Sequence, residues 1–353
     1  MPFADSGRAT TGFHMLFLLA SFVLAADTED WEKSESAYLA NVQQITKDFV
    51  RAGEGYFSPD GKQIIFQAEE KDTGNPFYQI FVMDLESGKY SRVSPGAGKT
   101  TCAYFRPDGK KIIFASTHLD KEAKVKYEEE YKQREEDKKS GKRRPYKWDF
   151  DPSMDIFEAN VDGSHLKRLT DGHGYNAEGS YSPDGKQIVF CSKRDGNLEL
   201  YIMDADGSKV RKLTNAPKCY NGGPFFSPDG KRVIFRSDRK KEDHLQLYVI
   251  NIDGTGERAL TDDLNWVQWG PYWYKDSKHI IYAGADHSVS GRPNYDLYWM
   301  DIDSGKKVRI TYNPSADVLP VFSPDGKKLM WTSTRNGASA QLYIADFTPP
   351  KDE

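Results

Sequence analysis

A four-residue turn recurs along this chain and limits its folds more than any other feature. It reads Ser58-Pro59-Asp60-Gly61, Arg106-Pro107-Asp108-Gly109, Ser182-Pro183-Asp184-Gly185, Ser227-Pro228-Asp229-Gly230, a worn Tyr274-Lys275-Asp276-Ser277, and Ser323-Pro324-Asp325-Gly326. The chemistry is that of a tight hairpin: Pro fixes φ at the first central position, Asp bonds its own backbone, and Gly accepts a left-handed conformation. A short alternating strand follows each turn, as in Lys186-Gln187-Ile188-Val189-Phe190, and a second one such as Leu200-Tyr201-Ile202-Met203-Asp204 comes after a variable loop. Another Asp-Gly turn then leads into a strand ending in Leu-Thr, at Leu169-Thr170, Leu213-Thr214 and Leu260-Thr261, or Ile310-Thr311. Four antiparallel strands per repeat of about 45–50 residues describe an all-β propeller.

The ends of the repeat array imply how the ring shuts. The sixth repeat stops after the strand at 341–347 and lacks a fourth strand, while Val42-Gln43-Gln44-Ile45-Thr46 reads like the missing one. The register agrees, because Thr46 precedes Ser58 by twelve residues, as Thr170 precedes Ser182. The expected architecture is a six-bladed β-propeller of four-stranded antiparallel blades over residues 42–347, with the N-terminal strand completing the last blade. Such closure removes an edge that would otherwise template aggregation.

These residues carry a family resemblance. The run Phe-Ser-Pro-Asp-Gly-Lys, then Ile-X-Phe, then Leu-Tyr-Ile-Met-Asp-X-Asp-Gly, then Leu-Thr resembles the WD40-like propeller repeat of TolB and its exported relatives. The resemblance implies the fold and says little of function, since sites are grafted onto folds. TolB carries a separate α/β domain ahead of its propeller, whereas here an extension at 26–41 is all that separates the leader from the repeats. The half of TolB that binds the peptidoglycan-associated lipoprotein is the half matched.

Topology then orients the loops. The tight turns share one face, and the variable connections share the other, around the mouth of a central channel. Counting back six residues from each tetrad gives Asn176, Asn221, Gln268 and Asp317 among the mouth positions, and counting back four gives Glu54 and Glu178 beside Cys102, Gly223, Gly270 and Leu319. Arg51, Trp266 and Trp269 lie in the same connections. Together Arg51, Glu54, Asn176, Glu178, Asn221, Trp266, Gln268 and Asp317 form a candidate binding ring for a peptide tail, glycan or cation. The competing structural reading has Asn and Asp capping loop turns and the tryptophans packing between blades.

One long interruption, residues 121–148, enters between the second and third strands of the second repeat, on the mouth face. It carries 11 basic and 7 acidic residues. Its first part is expected to be a solvated helix ended by Gly141, followed by a basic, aromatic tail at 142–148. It serves either as a lid or docking arm for an anionic partner or as a solvated decoration.

The apolar run at 13–26, with Arg8 ahead of it and Val23-Leu24-Ala25 as a small-residue cleavage pattern, reads as a signal peptide over residues 1–25. Periplasmic or secreted localisation is therefore expected, and with it a monomer without a stable membrane span. The three cysteines do not make an even disulfide set, so the core must hold the fold. A net charge of −4 gives no footprint for nucleic acid.

Catalytic signatures are missing: no G-x-S-x-G elbow, no H-E-x-x-H, no paired C-x-x-C and no metal-ligand spacing among the histidines. No cofactor is expected; calcium in the channel, held by Glu54, Glu178 and Asp317, is the one option left open. The leading expectation is an exported, non-catalytic propeller that binds a protein or polymer of the cell envelope through its channel-mouth face. The alternatives are a hydrolase or lyase using Glu54 and Glu178, and a stand-alone propeller gating substrate for a peptidase. Residues 348–353 read as a tail.

Overall fold

The computed structural model describes residues 30–141, 149–172, 174–337 and 339–351. The expected leader at 1–25, the basic tail at 142–148 and His173 lie outside them. Six four-stranded antiparallel sheets form the ring. Five of them use strands in chain order, and the sixth takes its outermost strand, Leu39–Gln44, from the start of the chain. That leading strand pairs antiparallel with Gln341–Phe347, through Leu39 to Phe347 and Gln44 to Tyr343. It begins three residues earlier than the sequence suggested. Val42, read as its first residue, sits 40% exposed at an irregularity between Ala40 and Gln43 instead of starting the pairing.

The repeated residues each do an identifiable job. In the tetrads, the Ser58 hydroxyl donates to Asp60 Oδ1 at 2.6 Å and accepts from Gln63 N, while Gly61 takes φ +71°. The same Ser-to-Asp bond recurs at Ser182 and Ser323. The Ile-X-Phe position supplies one buried aromatic per blade: Phe66, Phe114, Phe190, Phe235, Tyr282 and Trp331. Each faces an aromatic directly across on the third strand, with ring centroids from 5.6 to 6.3 Å apart. Six such pairs form a repeated apolar spine, since rings of this size dominate core burial.

The Leu-Thr motif is a clasp between the third and fourth strands. Thr170, Thr214, Thr261, Thr311 and Thr46 each accept a backbone N–H from the third strand, at Ile156, Leu200, Leu247, Leu297 and Leu342. Thr46 also donates to Gln341 Oε1 at 2.8 Å, so the leading strand carries the clasp of the blade it completes. Among the described residues the thiols of Cys102, Cys191 and Cys219 are free. No described helix is long and apolar enough to cross a membrane.

Candidate functional site

The innermost strand of every blade carries one irregularity, and these six irregularities build the channel wall. The strands are Arg51–Phe57, Thr100–Phe105, Asn176–Tyr181, Asn221–Phe226, Trp266–Trp273 and Asp317–Phe322, each bulged midway. Within each bulge one residue takes a left-handed conformation: Glu54, Cys102, Glu178, Gly223, Gly270 and Leu319, with φ between +45° and +61°. These are the residues found by counting back four from each tetrad. A bulge re-aims one side chain out of the pleat, and non-glycine residues in this region are uncommon enough to point to a role.

Two residues further along each strand, the channel is closed. Tyr56, Tyr104, Phe225 and Tyr272, from four different blades, pack across the axis with ring centroids 5.2 to 6.1 Å apart. The Tyr104 and Tyr272 hydroxyls lie 3.2 Å from each other. Above this floor is a cavity of about 30 Å³, walled by Glu54, Cys102, Glu178, Leu319 and the side chain of Arg236. That is room for a group the size of a water or two. The channel is a blind pocket.

Arg236 is the pocket-lining residue that sequence reading missed. It lies on the second strand of the fourth blade, where the matching residues elsewhere are Gln67, Ala115, Cys191, Ala283 and Thr332. It reaches the pocket across the adjoining glycines: a Cβ on Gly223 would stand 2.4 Å from Arg236 Nη1. The sequence signal was available in that one charged residue within Val-Ile-Phe-Arg-Ser, opposite Gly222-Gly223.

The pocket's two carboxyls are treated very differently. Glu178 is buried and saturated: it accepts from Tyr175 at 3.0 Å, Tyr220 at 2.8 Å, Gly223 N at 2.6 Å and Arg236 Nη2 at 2.9 Å. Glu54 receives only a long contact from the Tyr56 hydroxyl, at 3.4 Å, besides the neighbouring Cys102 thiol. Burial pushes its pKa up to about 7, against the pull of Arg236. Burial likewise holds the Cys102 thiol well above its usual range, so it stays protonated and unreactive.

Of the other candidates, Asn176, Asn221 and Gln268 sit in seams between blades, while Arg51, Trp266 and Asp317 meet partners within their own blades. Asn176 donates to Asp155 at 3.0 Å and Asn221 to Glu199 at 3.1 Å, each bonding the third strand of the preceding blade. Gln268 faces Gln246 in the same way at 3.4 Å. Asp317 is bonded by Arg335 at 2.7 Å and Trp331 at 3.0 Å and is not part of the pocket wall. Trp266 packs edge-on against Tyr298 with the Lys307 ammonium over its ring, while Trp269 lies against Arg236. Arg51 pairs with Glu69 at 2.8 Å, over the Tyr78 ring. Of the eight candidates, Glu54 and Glu178 come together in the pocket. No cluster of His, Cys, Asp or Glu fit for a metal is found among the described residues.

The insertion forms the expected helix, Ala123–Ser140, ended by Gly141 at φ +63°. It buries no residue, yet it is fastened to the mouth face. Arg134 donates to Glu69 Oε1 at 2.6 Å and to Pro76 O, Tyr127 accepts from Gly98 N, and Lys126 bonds Asp151 at 2.7 Å. Between helix and ring runs a groove of about 430 Å³, lined by Phe77, Lys99, Lys126, Glu130, Phe150 and Asp151. Phe150, just after the insertion, packs on Tyr175 and Tyr220, the two tyrosines that hold Glu178. Helix groove and pocket mouth are thus linked by one aromatic bridge.

A family model described as the TolB beta propeller domain matches residues 146–221. A TolB homolog of Chlorobium luteolum is 32% identical over 62 residues, which is 18% of this chain and 14% of that protein. Among solved structures, a TolB candidate from Agrobacterium tumefaciens superposes with a TM-score of 0.58 at 19% identity, over 88% of this chain and 97% of the other. The oligogalacturonate lyase of Vibrio parahaemolyticus superposes with a TM-score of 0.55 at 15% identity, over 86% and 93%. A TolB candidate and a lyase share this fold, so the fold does not decide between a binding and a catalytic role.

Proposed function

From the premise that the chain is a TolB-like six-bladed β-propeller, we propose that it is an exported, non-catalytic binding module. It engages a partner of the cell envelope, most readily a protein segment, on the channel-mouth face. The observation that carries this reading is the aromatic floor of Tyr56, Tyr104, Phe225 and Tyr272. These rings cross the channel axis, and a pocket of about 30 Å³ is too small for a sugar ring.

The carboxyl geometry argues against the enzyme reading. Glycoside cleavage needs one carboxyl as acid and a second free to act as base or nucleophile. Glu54 could be the acid, but Glu178 already accepts from four donors. The mouth face, in contrast, offers the helix groove of about 430 Å³ and exposed apolar side chains, Leu119 just ahead of the insertion and Val125 and Tyr131 on it.

A photo-crosslinking residue tests this when placed at Tyr131 on the mouth face and, separately, at Lys186 on the tight-turn face. Adducts in envelope extract are expected from position 131 and not from 186, with no turnover of polygalacturonate or peptides. Adducts mainly from position 186, or turnover abolished by Glu178→Gln, would overturn the reading.

A further inference from the structure

The pocket at the ring axis holds three charged side chains whose sum is incomplete. Glu178 and Arg236 neutralise each other across 2.9 Å. Glu54 is left with a weak hydroxyl contact and a thiol. An ionised carboxylate so enclosed needs a proton or a cation. One positive charge brings Glu54, Glu178 and Arg236 to neutrality; a divalent ion overshoots beside the arginine, and an anion adds to the two carboxylates.

Size narrows the cation further. The space admits a group of about water size, which an ammonium matches and a guanidinium or quaternary ammonium exceeds. The floor beneath it is aromatic, and ring faces attract ammonium groups. Access is from the mouth face, because the floor closes the other side and Glu54 is only partly buried.

We propose that the blind pocket is a subsite for a primary ammonium group, the head of a lysine side chain or an amino terminus carried by the docking partner. This deepens the binding reading above and rests on it for the source of the amine. On binding, the ammonium replaces the proton of Glu54, which leaves to solvent; no covalent bond changes.

The linked pH dependence follows from the groups that face Glu54: Glu178 and Arg236, the Cys102 thiol and the Tyr56 hydroxyl. Burial keeps the thiol and the phenol protonated and raises Glu54 into the neutral range, so Glu54 is the group followed by pH. With its pKa at about 7, ammonium binding at pH 6 must expel a proton and is weaker by about tenfold than at pH 8.

Calorimetric titration of the full chain with n-butylammonium chloride tests this. Expected are saturable binding, affinity about tenfold higher at pH 8 than at pH 6, and release of nearly one proton at pH 6, obtained by comparing two buffers of different ionisation heat. Tetramethylammonium should not bind, and Glu54→Gln should abolish binding while leaving the melting curve cooperative. A lysine peptide should bind and its Nε-acetylated form should not. If ammonium or potassium chloride binds as tightly as n-butylammonium, the source is a free inorganic cation and the partner's amine is ruled out. No saturable binding, no proton release at pH 6, or unchanged binding in Glu54→Gln overturns the proposal. Cross-linking at position 131 is scored separately, so adducts without ammonium binding sink only this inference, and ammonium binding without adducts sinks only the docking reading.

Discussion

Arg335→Ala is expected to lower the unfolding free energy by about 3–5 kcal/mol, because it strands two buried carboxylates at once. Arg335 donates to Glu35 at 2.7 and 2.8 Å and to Asp317 at 2.7 and 3.2 Å. Its guanidinium lies 5.7 Å from the Trp31 ring and 5.2 Å from that of Trp331. Glu35 sits in the short helix Trp31–Glu35, immediately before the leading strand, and also accepts from Tyr312 N and Asn313 N. One arginine thus fastens the start of the chain to the blade it completes. A triple variant, Glu35→Gln, Arg335→Met and Asp317→Asn, should recover most of the loss, since the charges then disappear together. The check is the shift of the urea unfolding curve; a loss below about 1 kcal/mol for Arg335→Ala would mean the ion cluster does not hold the closure.

Arg236→Ala is expected to cost about 3 kcal/mol. The figure stands at the lower end because Glu178 keeps three neutral donors, from Tyr175, Tyr220 and Gly223 N. Loss of the arginine also removes the cation that restrains the Glu54 pKa, so Glu54 then holds its proton to higher pH. The cost should therefore be larger at pH 8 than at pH 5, as read from unfolding curves at the two values. Equal losses at both would contradict the charge assignment of the pocket.

Much of this architecture was written in the repeats, because each repeated residue makes a short-range bond whose chemistry is local. The tetrads are hairpins closed within four residues, the aromatic pairs face each other across neighbouring strands, and Thr46 announces the strand exchange by standing where Thr170 and Thr214 stand. Glu54 and Glu178 were found for the same reason, since a bulge at a fixed distance from the tetrad aims them inward.

The remainder was hidden in contacts between repeats. Asn176, Asn221 and Gln268 occupy the expected register, but their partners Asp155, Glu199 and Gln246 belong to the preceding blade and draw the side chains into the seams. Arg236 enters the pocket from a second strand because Gly222 and Gly223 leave the space, which no periodicity reveals. The floor of the channel needs four rings from four blades, each unremarkable within its own repeat.

Glu54 also sets the sign of part of the pH dependence. Its folded pKa of about 7 lies above the unfolded value, so between roughly pH 4.5 and 7 the folded chain holds a proton that the unfolded chain has lost. Stability from this group is fully present at low pH and declines as pH rises through that window. Asp296, raised to about 7 by burial with one carboxyl oxygen unpartnered, acts in the same direction.

The blind pocket above the aromatic floor is the claim on which the binding account stands, and the titration of Glu54 measures it. With side-chain carbon NMR, and the Glu54→Gln variant to assign the resonance, the midpoint should fall close to pH 7. A midpoint between about 4 and 5, the range of a solvated carboxyl, would mean that water fills the channel past Glu54 and that the aromatic floor does not seal it.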